Sequence, residues 1–154
     1  MTNNKSHLTA IPRKSLPQPT LWLIKNRLIR GHVMDYGCGK CASVNPSHFF
    51  NYDPFFCNQD LSVFRNGRGY FDTIICNYVL CAMTPAERMP ILKDIQIMLD
   101  PFGLAFVSVR NDRPKNGWGW TSKGTYQGKV NLSLPTIHED SRFKIFLLTK
   151  DSPL

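Results

Sequence analysis

One stretch decides the fold: Val33–Cys41, which reads Val-Met-Asp-Tyr-Gly-Cys-Gly-Lys-Cys. A short apolar lead, then an acid and two glycines one residue apart, is typical of a strand that ends in a tight turn. Glycine suits such a turn because it tolerates positive φ and lets a ligand approach the main chain. A second apolar run at 49–52 ends in the same way, at Asp53. We therefore predict two strands whose ends carry Asp35 and Asp53.

Composition and charge indicate one basic domain. The chain has 154 residues, of which 42% are hydrophobic, and a formal net charge of +8. We predict a basic, proline-rich extended arm over residues 1–19 and a single domain over residues 20–154. An excess of cations can steer nucleic acid to a surface, but a basic surface without that role is an equal alternative. No apolar run approaches the ~20 residues of a membrane span, so we expect a cytoplasmic protein with free thiols.

The remaining patterns predict few helices and several strands. Thr20 is expected to cap a helix that reaches about Ile29, and a capping box is expected to begin a second helix over residues 84–99. The first ten residues are expected to be frayed, and 110–128 to form a functional loop. Apolar runs predict strands at 32–35, 49–52, 71–77, 104–109, 129–134 and 143–149, with a minimal strand near 61–64. The fold class is therefore α/β: a reduced Rossmann-like sheet, mostly parallel, with a C-terminal antiparallel hairpin.

The glycine turn and the two acids point to an adenosine-type cofactor held over the ends of parallel strands. Asp53 is placed where a carboxylate could accept hydrogen bonds from two ribose hydroxyls. The spacing Gly37-x-Gly39-x-x-Ala42 also satisfies the dinucleotide fingerprint. However, Asp35 would repel a pyrophosphate, and almost no helix follows the turn to hold one. We therefore favour a cofactor that carries a positive charge.

The cysteines form a CxxC pair at Cys38 and Cys41 that could suggest metal or redox chemistry. A zinc site would need two further ligands, and no second tight pair is present. We predict small structural thiols and no metal. A covalent mechanism through Cys76 or Cys81 would need a partner motif that the chain lacks.

The stretch Asp-Tyr-Gly-Cys-Gly-Lys at 35–40 resembles the first motif of class I S-adenosylmethionine-dependent methyltransferases. Asp53 matches the family's acid after its second strand, and residues 77–80 and 99–103 resemble its later motifs. The resemblance covers about residues 30–110. It implies S-adenosyl-L-methionine as the cofactor, methyl transfer as the reaction, and a Rossmann-like methyltransferase sheet as the fold.

The sequence also resembles a smaller group within this family, and it departs from the family's pattern in two places. Residues 9–15, 51–54 and 119–127 resemble a small bacterial and phage group, some of whose members are labelled DNA-phosphorothioation-associated. Cys41 stands where the family usually has a third glycine. No Asn/Asp-Pro-Pro-Tyr motif follows the strand at 71–77, which weakens transfer to an exocyclic base amine.

The resemblance implies a role for each residue around the turn. Asp35 is expected near the cofactor's ammonium, Asp53 at the ribose hydroxyls, and Tyr78 near the methyl group; turn capping and packing are the alternatives. Pro54 and Phe55 are expected to flank adenine. The complete predicted cofactor-binding set is Asp35, Tyr36, Gly37, Cys38, Gly39, Asp53, Pro54, Phe55, Asn77, Tyr78 and Val79.

No residue identifies itself as a general base, and the methyl acceptor stays open. Loop candidates for catalysis are Asp112, Tyr126 and Arg110. Candidates for substrate binding are Lys14, Trp118, Trp120 and Lys123, the two tryptophans because they could stack on a nucleic-acid base. The acceptor could be nucleic acid, a small molecule or a protein. The alternative is a non-catalytic S-adenosylmethionine-binding accessory module, and a partner protein could supply substrate recognition.

Overall fold

A six-stranded sheet forms the centre of the protein in a computed structural model that describes residues 4–154. The strands of the chain are β1 (Val33–Tyr36), β2 (Phe50–Tyr52), β3 (Phe71–Asn77), β4 (Leu99–Arg110), β5 (Gly119–Trp120), β6 (Tyr126–Gln127), β7 (Thr136–Glu139) and β8 (Phe143–Thr149). The two α-helices of the described residues are α1 (Gln18–Lys25) and α2 (Pro85–Met98). The central sheet has the order β2-β1-β3-β4-β8-β7, and β5 pairs with β6 apart from it.

The sheet is mixed in strand direction, as the sequence predicts. Strands β1, β2, β3 and β4 run parallel, whereas β8 pairs antiparallel with both β4 and β7. The predicted architecture, a mostly parallel Rossmann-like sheet with a C-terminal antiparallel hairpin and few helices, is confirmed. No helix among residues 4–154 has the length and apolarity needed to cross a membrane.

The two helices cover opposite faces of the sheet. On one face, Ile95 of α2 packs in the same buried cluster as Met34 and Ile74 of the strands. On the other face, Leu23 of α1 packs with Ile75 in a second cluster. Because both faces are covered, β3 is apolar almost throughout, which is why its boundaries at 71–77 could be predicted from the sequence. The predicted capping box also forms at the start of α2.

The connections on either side of β2 contain little regular structure. The predicted minimal strand near 61–64 is wrong, because residues Ser62–Phe64 form a 3₁₀ turn. The Asp60 carboxylate accepts hydrogen bonds from both the backbone and the hydroxyl of Ser62, which bends the chain at this point. The crossover from β1 to β2 has no helix, as predicted.

The boundary between α2 and β4 differs from the prediction. The segment 100–103 was expected to separate a helix from a strand, but β4 begins at Leu99, directly after the helix. The register of β4 against β3 shifts across this segment, which forms a bulge. A side chain at Gly103 would lie 2.6 Å from the Phe71 carbonyl oxygen, so the close approach of the two strands requires glycine here.

Helix α1 lies earlier in the chain than predicted. Thr20 is not its cap: the helix begins at Gln18, with proline in its first turn, and ends at Lys25 instead of near Ile29. Thr20 is buried, and its hydroxyl accepts a hydrogen bond from Asn77 at the end of β3. The cap prediction was wrong because the Thr20 hydroxyl is hydrogen-bonded to the sheet and not to the first amides of the helix.

The C-terminal hairpin uses a different first strand from the one predicted. The alternating segment 129–134 is not a strand; β7 lies at Thr136–Glu139, between the two segments that were predicted to form the hairpin. Val130 is buried, and Leu132 and Leu134 pack against the core cluster that includes α2. Their alternation therefore reflects burial of an irregular segment instead of sheet pairing, whereas β8 forms as predicted.

Candidate cofactor site

A cavity of about 280 Å³ lies at the carboxyl ends of β1, β2 and β3. The chain leaves β1 toward β2 on one side, and β3 pairs with β1 on the other side, so this is the point where the direction of winding reverses. Open α/β sheets bind their ligands at such a point. The whole predicted cofactor-binding set lines this cavity, namely Asp35, Tyr36, Gly37, Cys38, Gly39, Asp53, Pro54, Phe55, Asn77, Tyr78 and Val79.

The glycine turn is held against β2 and against the segment that follows β3. The backbone amides of Gly37 and Cys38 both donate to the Tyr52 carbonyl, at 2.7 and 2.9 Å. Gly37 has a φ of +75°, and a Cβ atom there would lie 2.3 Å from Val79 Cγ2. Any larger residue at position 37 would therefore push the turn and the β3 segment apart.

Asp35 is the most unusual residue of the site, because it is an acid only 3% exposed. Its carboxylate accepts a hydrogen bond of 2.7 Å from Asn45 Nδ2, and no basic side chain of residues 4–154 forms an ion pair with it. Burial raises the pKa of Asp35 from 3.8 to about 6, the Asn45 bond opposes this rise, and the charge of Asp53 adds to it. A buried carboxylate without a cation is a suitable partner for a positively charged ligand.

Asp53 organises the loops around the cavity. One of its oxygens accepts from the Gly39 amide at 3.0 Å, and the other accepts from the amides of Phe55 and Phe56 at 2.8 and 3.1 Å. The turn-capping alternative is thus observed. A carboxylate offers about four acceptor positions, so one remains for a ligand hydroxyl. The ribose role of Asp53 stays a prediction.

Asn77 and Tyr78 lie at the end of β3, where the Asn77 side chain is hydrogen-bonded and the Tyr78 backbone has an unusual conformation. The Asn77 side chain is engaged: it donates to Thr20 Oγ1 and accepts from the Ser108 hydroxyl, both at 2.8 Å. Tyr78 has a φ of +62°, a left-handed conformation that is uncommon outside glycine and that clusters at ligand sites. Burial raises the pKa of Tyr78 to about 12, so its hydroxyl is neutral at physiological pH.

The N-terminal segment is part of the site, which the sequence did not indicate. Instead of being frayed, Ser6–Thr9 form a 3₁₀ turn. The residues of this segment that line the cavity are Ser6, His7, Thr9, Ala10, Ile11 and Arg13. The Lys5 amide donates to the Gly124 carbonyl at 3.1 Å, and the His7 ring stacks on Phe55 with 4.3 Å between centroids. His7 Nδ1 is buried without a hydrogen-bond partner. The sequence signals on this segment were the narrower family resemblance at 9–15 and Lys14 as a substrate-binding candidate.

The cysteines around the site are buried and unpaired. Burial raises the pKa of the Cys38, Cys41 and Cys76 thiols, so they are neutral and poorly nucleophilic. Within residues 4–154, no group of three or more His, Cys, Asp or Glu side chains could hold a metal ion.

The predicted catalytic residues lie outside the first cavity. Arg110 and Asp112 form a two-bond ion pair, at 2.8 and 2.7 Å, and line a second cavity of about 440 Å³. The Arg110 hydrogen bonds lower the pKa of Asp112, which makes it a weaker base than a free aspartate. Tyr126 lines neither cavity and packs on Trp120 at 5.4 Å. Their catalytic roles stay predictions.

The predicted substrate-binding residues are exposed. Trp118 and Trp120 are 37% and 58% exposed on and beside the β5–β6 hairpin, and Lys123 lies in the turn of that hairpin. Lys14 is exposed on the N-terminal arm. None of the four lines either cavity, whereas Arg13, which the sequence did not single out, lines both.

Comparisons with known proteins give distant similarities only. No protein-family model matches the chain, and no curated protein matches it significantly. Among solved structures, a TehB-like SAM-dependent methyltransferase from Corynebacterium glutamicum is 18% identical over 84% of this chain and 86% of that protein, with a TM-score of 0.45. An S-adenosylmethionine-dependent methyltransferase from Mesorhizobium loti is 14% identical over 67% of this chain and 60% of that protein, with a TM-score of 0.37. These similarities are too distant to transfer a function from one protein to another.

Proposed function

We propose that the first cavity binds S-adenosyl-L-methionine and that the protein transfers its methyl group to an acceptor. The observation that supports this most is Asp35, a carboxylate buried beside the glycine turn without a cation. The cofactor's ammonium would supply the missing positive charge. A dinucleotide would instead bring a pyrophosphate toward a buried acid, and no helix begins after the turn to offset that repulsion.

The other lining residues fit the remaining parts of the cofactor. Asp53 keeps one acceptor position for a ribose hydroxyl, as its three backbone hydrogen bonds leave room for one more. Phe55 is 57% exposed and offers a ring face to adenine beside the His7 ring, which stacks on it. The unpaired His7 Nδ1 could then bond to the base. Tyr78 would lie near the methyl group, where the two cavities meet.

Methyl transfer depends more on the alignment of the cofactor and the acceptor than on proton transfer. When bound, the cofactor supplies a methyl carbon on a sulfonium: an acceptor lone pair forms the new bond as the carbon–sulfur bond breaks, and its electron pair stays on sulfur. The protein's part is to orient the reactants and exclude water. Asp112 is paired with Arg110 and the Tyr78 hydroxyl is neutral, so neither group is a strong base for a proton on the acceptor.

The proposal extends to the protein's cellular location and to its subgroup within the family. We infer a cytoplasmic location, which the five unpaired cysteines support, and membership of the small bacterial and phage group. A nucleic-acid acceptor is the second candidate, favoured by the exposed Trp118 and Trp120 on a basic protein. A partner protein could supply part of that recognition.

A labelled-methyl assay tests the proposed function. The protein is incubated with methyl-labelled cofactor and separate pools of DNA, RNA, protein and small metabolites, and label in each pool is counted. We expect label in one pool, and its loss in Asp35→Asn. Binding of the cofactor with no label in any pool would favour the accessory-module alternative, whereas absence of cofactor binding would contradict the proposal itself.

A further inference from the structure

The second cavity adjoins the first and is lined by arginines. Its volume is about 440 Å³, within the range of small-molecule sites. Tyr78 and Arg13 line both cavities, so a molecule in the second would reach the region where the proposed cofactor's methyl group lies. Charged side chains in its wall are Arg13, Arg110, Arg142 and Asp112.

One of these three arginines is already neutralised. Arg110 gives two hydrogen bonds to Asp112, in the fork geometry that guanidinium and carboxylate share. Asp112 is the only acid among the described residues of the cavity wall, and its charge is neutralised by Arg110. The ion pair leaves the charge of the other two arginines uncompensated within the wall.

Arg142 is only partly compensated from outside the cavity. Its guanidinium donates one bond of 3.1 Å to Asp140 and is 63% exposed. The Asp140 carboxylate also accepts from two backbone amides and contacts the His138 ring. Because Asp140 is shared among several donors, Arg142 retains the capacity to bind a second anion.

Arg13 has no acidic partner among residues 4–154. It lies close enough to Tyr78 that its charge opposes the rise in the pKa of that hydroxyl, and the charge of Arg142 has the same effect. Arg13, Arg142 and Tyr78 all line the second cavity. Two guanidinium groups around one polar cavity are suited to an oxyanion, which they can bind with paired hydrogen bonds.

We propose that the second cavity binds a small acceptor molecule through an oxyanion group, a carboxylate or a phosphate, held between Arg13 and Arg142. The proposal rests on the proposed function for the acceptor's role, but the anion site itself does not require a cofactor. A compact molecule is favoured over nucleic acid because the two arginines converge on one cavity, whereas a polynucleotide needs cations spread along a track.

The experiment is an NMR titration of the full chain with inorganic phosphate and, separately, with acetate, at constant ionic strength set by chloride. We expect saturable shifts of residues that line the second cavity, and the tighter of the two probes indicates which oxyanion the site prefers. Arg13→Gln should weaken binding at least tenfold. Arg68→Gln is the matched control, because Arg68 is exposed and lines neither cavity.

A further variant gives a result that a general loss of charge would not produce. Asp112→Asn frees Arg110 and should tighten phosphate binding several-fold, since a third guanidinium joins the site. Equal affinity in Arg13→Gln and Arg68→Gln, or unchanged affinity in Asp112→Asn, would overturn the proposal. So would a single-stranded oligonucleotide that binds more tightly than phosphate and weakens steeply with salt, which would indicate a nucleic-acid track. All these readouts are independent of S-adenosyl-L-methionine, so failure here is distinguishable from failure of the proposed function.

Discussion

The buried acid at the end of β1 should make the protein less stable at neutral pH than it would be without it. Asp35 has a pKa of about 6 in the folded protein and about 3.8 as an ordinary aspartate, because burial penalises its charged form. At ~1.4 kcal/mol for each pKa unit, this difference corresponds to about 3 kcal/mol of unfolding free energy. We therefore expect Asp35→Asn to stabilise the protein at pH 8.

The sign follows from proton binding. Between pH 3.8 and pH 6 the folded protein holds a proton on Asp35 that the unfolded chain has released, so stability from this group falls as the pH rises. Above pH 6 the penalty is complete, and below pH 3.8 it vanishes. The asparagine keeps the bond from Asn45 but buries an extra amide, which costs about 1 kcal/mol at every pH. The net gain at pH 8 is about 2 kcal/mol.

Urea unfolding of both proteins from pH 4 to pH 8 measures this difference. The control is Asp151→Asn, which removes the same charge at an exposed position near the C terminus. A stability difference between wild type and Asp35→Asn that does not change with pH, or a variant that is less stable at pH 8, would refute the reasoning. The same variant should lose at least tenfold in affinity for S-adenosyl-L-methionine, because the cofactor's ammonium loses its partner.

Two further predictions concern the turn and its support. Gly37→Ala should destabilise the protein by at least about 1 kcal/mol more than Gly67→Ala in urea unfolding, and equal losses would contradict the packing argument. Both glycines have positive φ, but an added Cβ meets Val79 only at position 37. Asp53→Ala should abolish cofactor binding in calorimetry, since it removes the ribose acceptor and leaves three loop amides without their partner. Retained affinity would rule out its ribose role.

The first cavity, the candidate cofactor site, could be predicted from the sequence because its determinants are local. A strand, an acid and a glycine turn occupy consecutive positions at 33–39, and parallel strands carry their carboxyl ends to the same edge. Two apolar runs that each end in an acid therefore had to converge once the sheet formed. The long apolar strand at 71–77 supplied the third wall in the same way.

The rest of the site could not be predicted because it depends on contacts between distant segments. Asn4 bonds to the Ala82 carbonyl and Lys5 to that of Gly124, so these two residues are held by parts of the chain about 80 and 120 positions away. No periodicity records such contacts. Thr20 illustrates the same limit. Threonine is a common helix-capping residue, but the Thr20 hydroxyl accepts a hydrogen bond from Asn77 of the sheet.

The most direct test of the account is a calorimetric titration of S-adenosyl-L-methionine into the protein, with NAD as the comparison ligand. We predict one saturable site for S-adenosyl-L-methionine, its loss in Asp53→Ala, and no comparable binding of NAD. Affinity for S-adenosyl-L-methionine no tighter than that for NAD would contradict the assignment of the cavity.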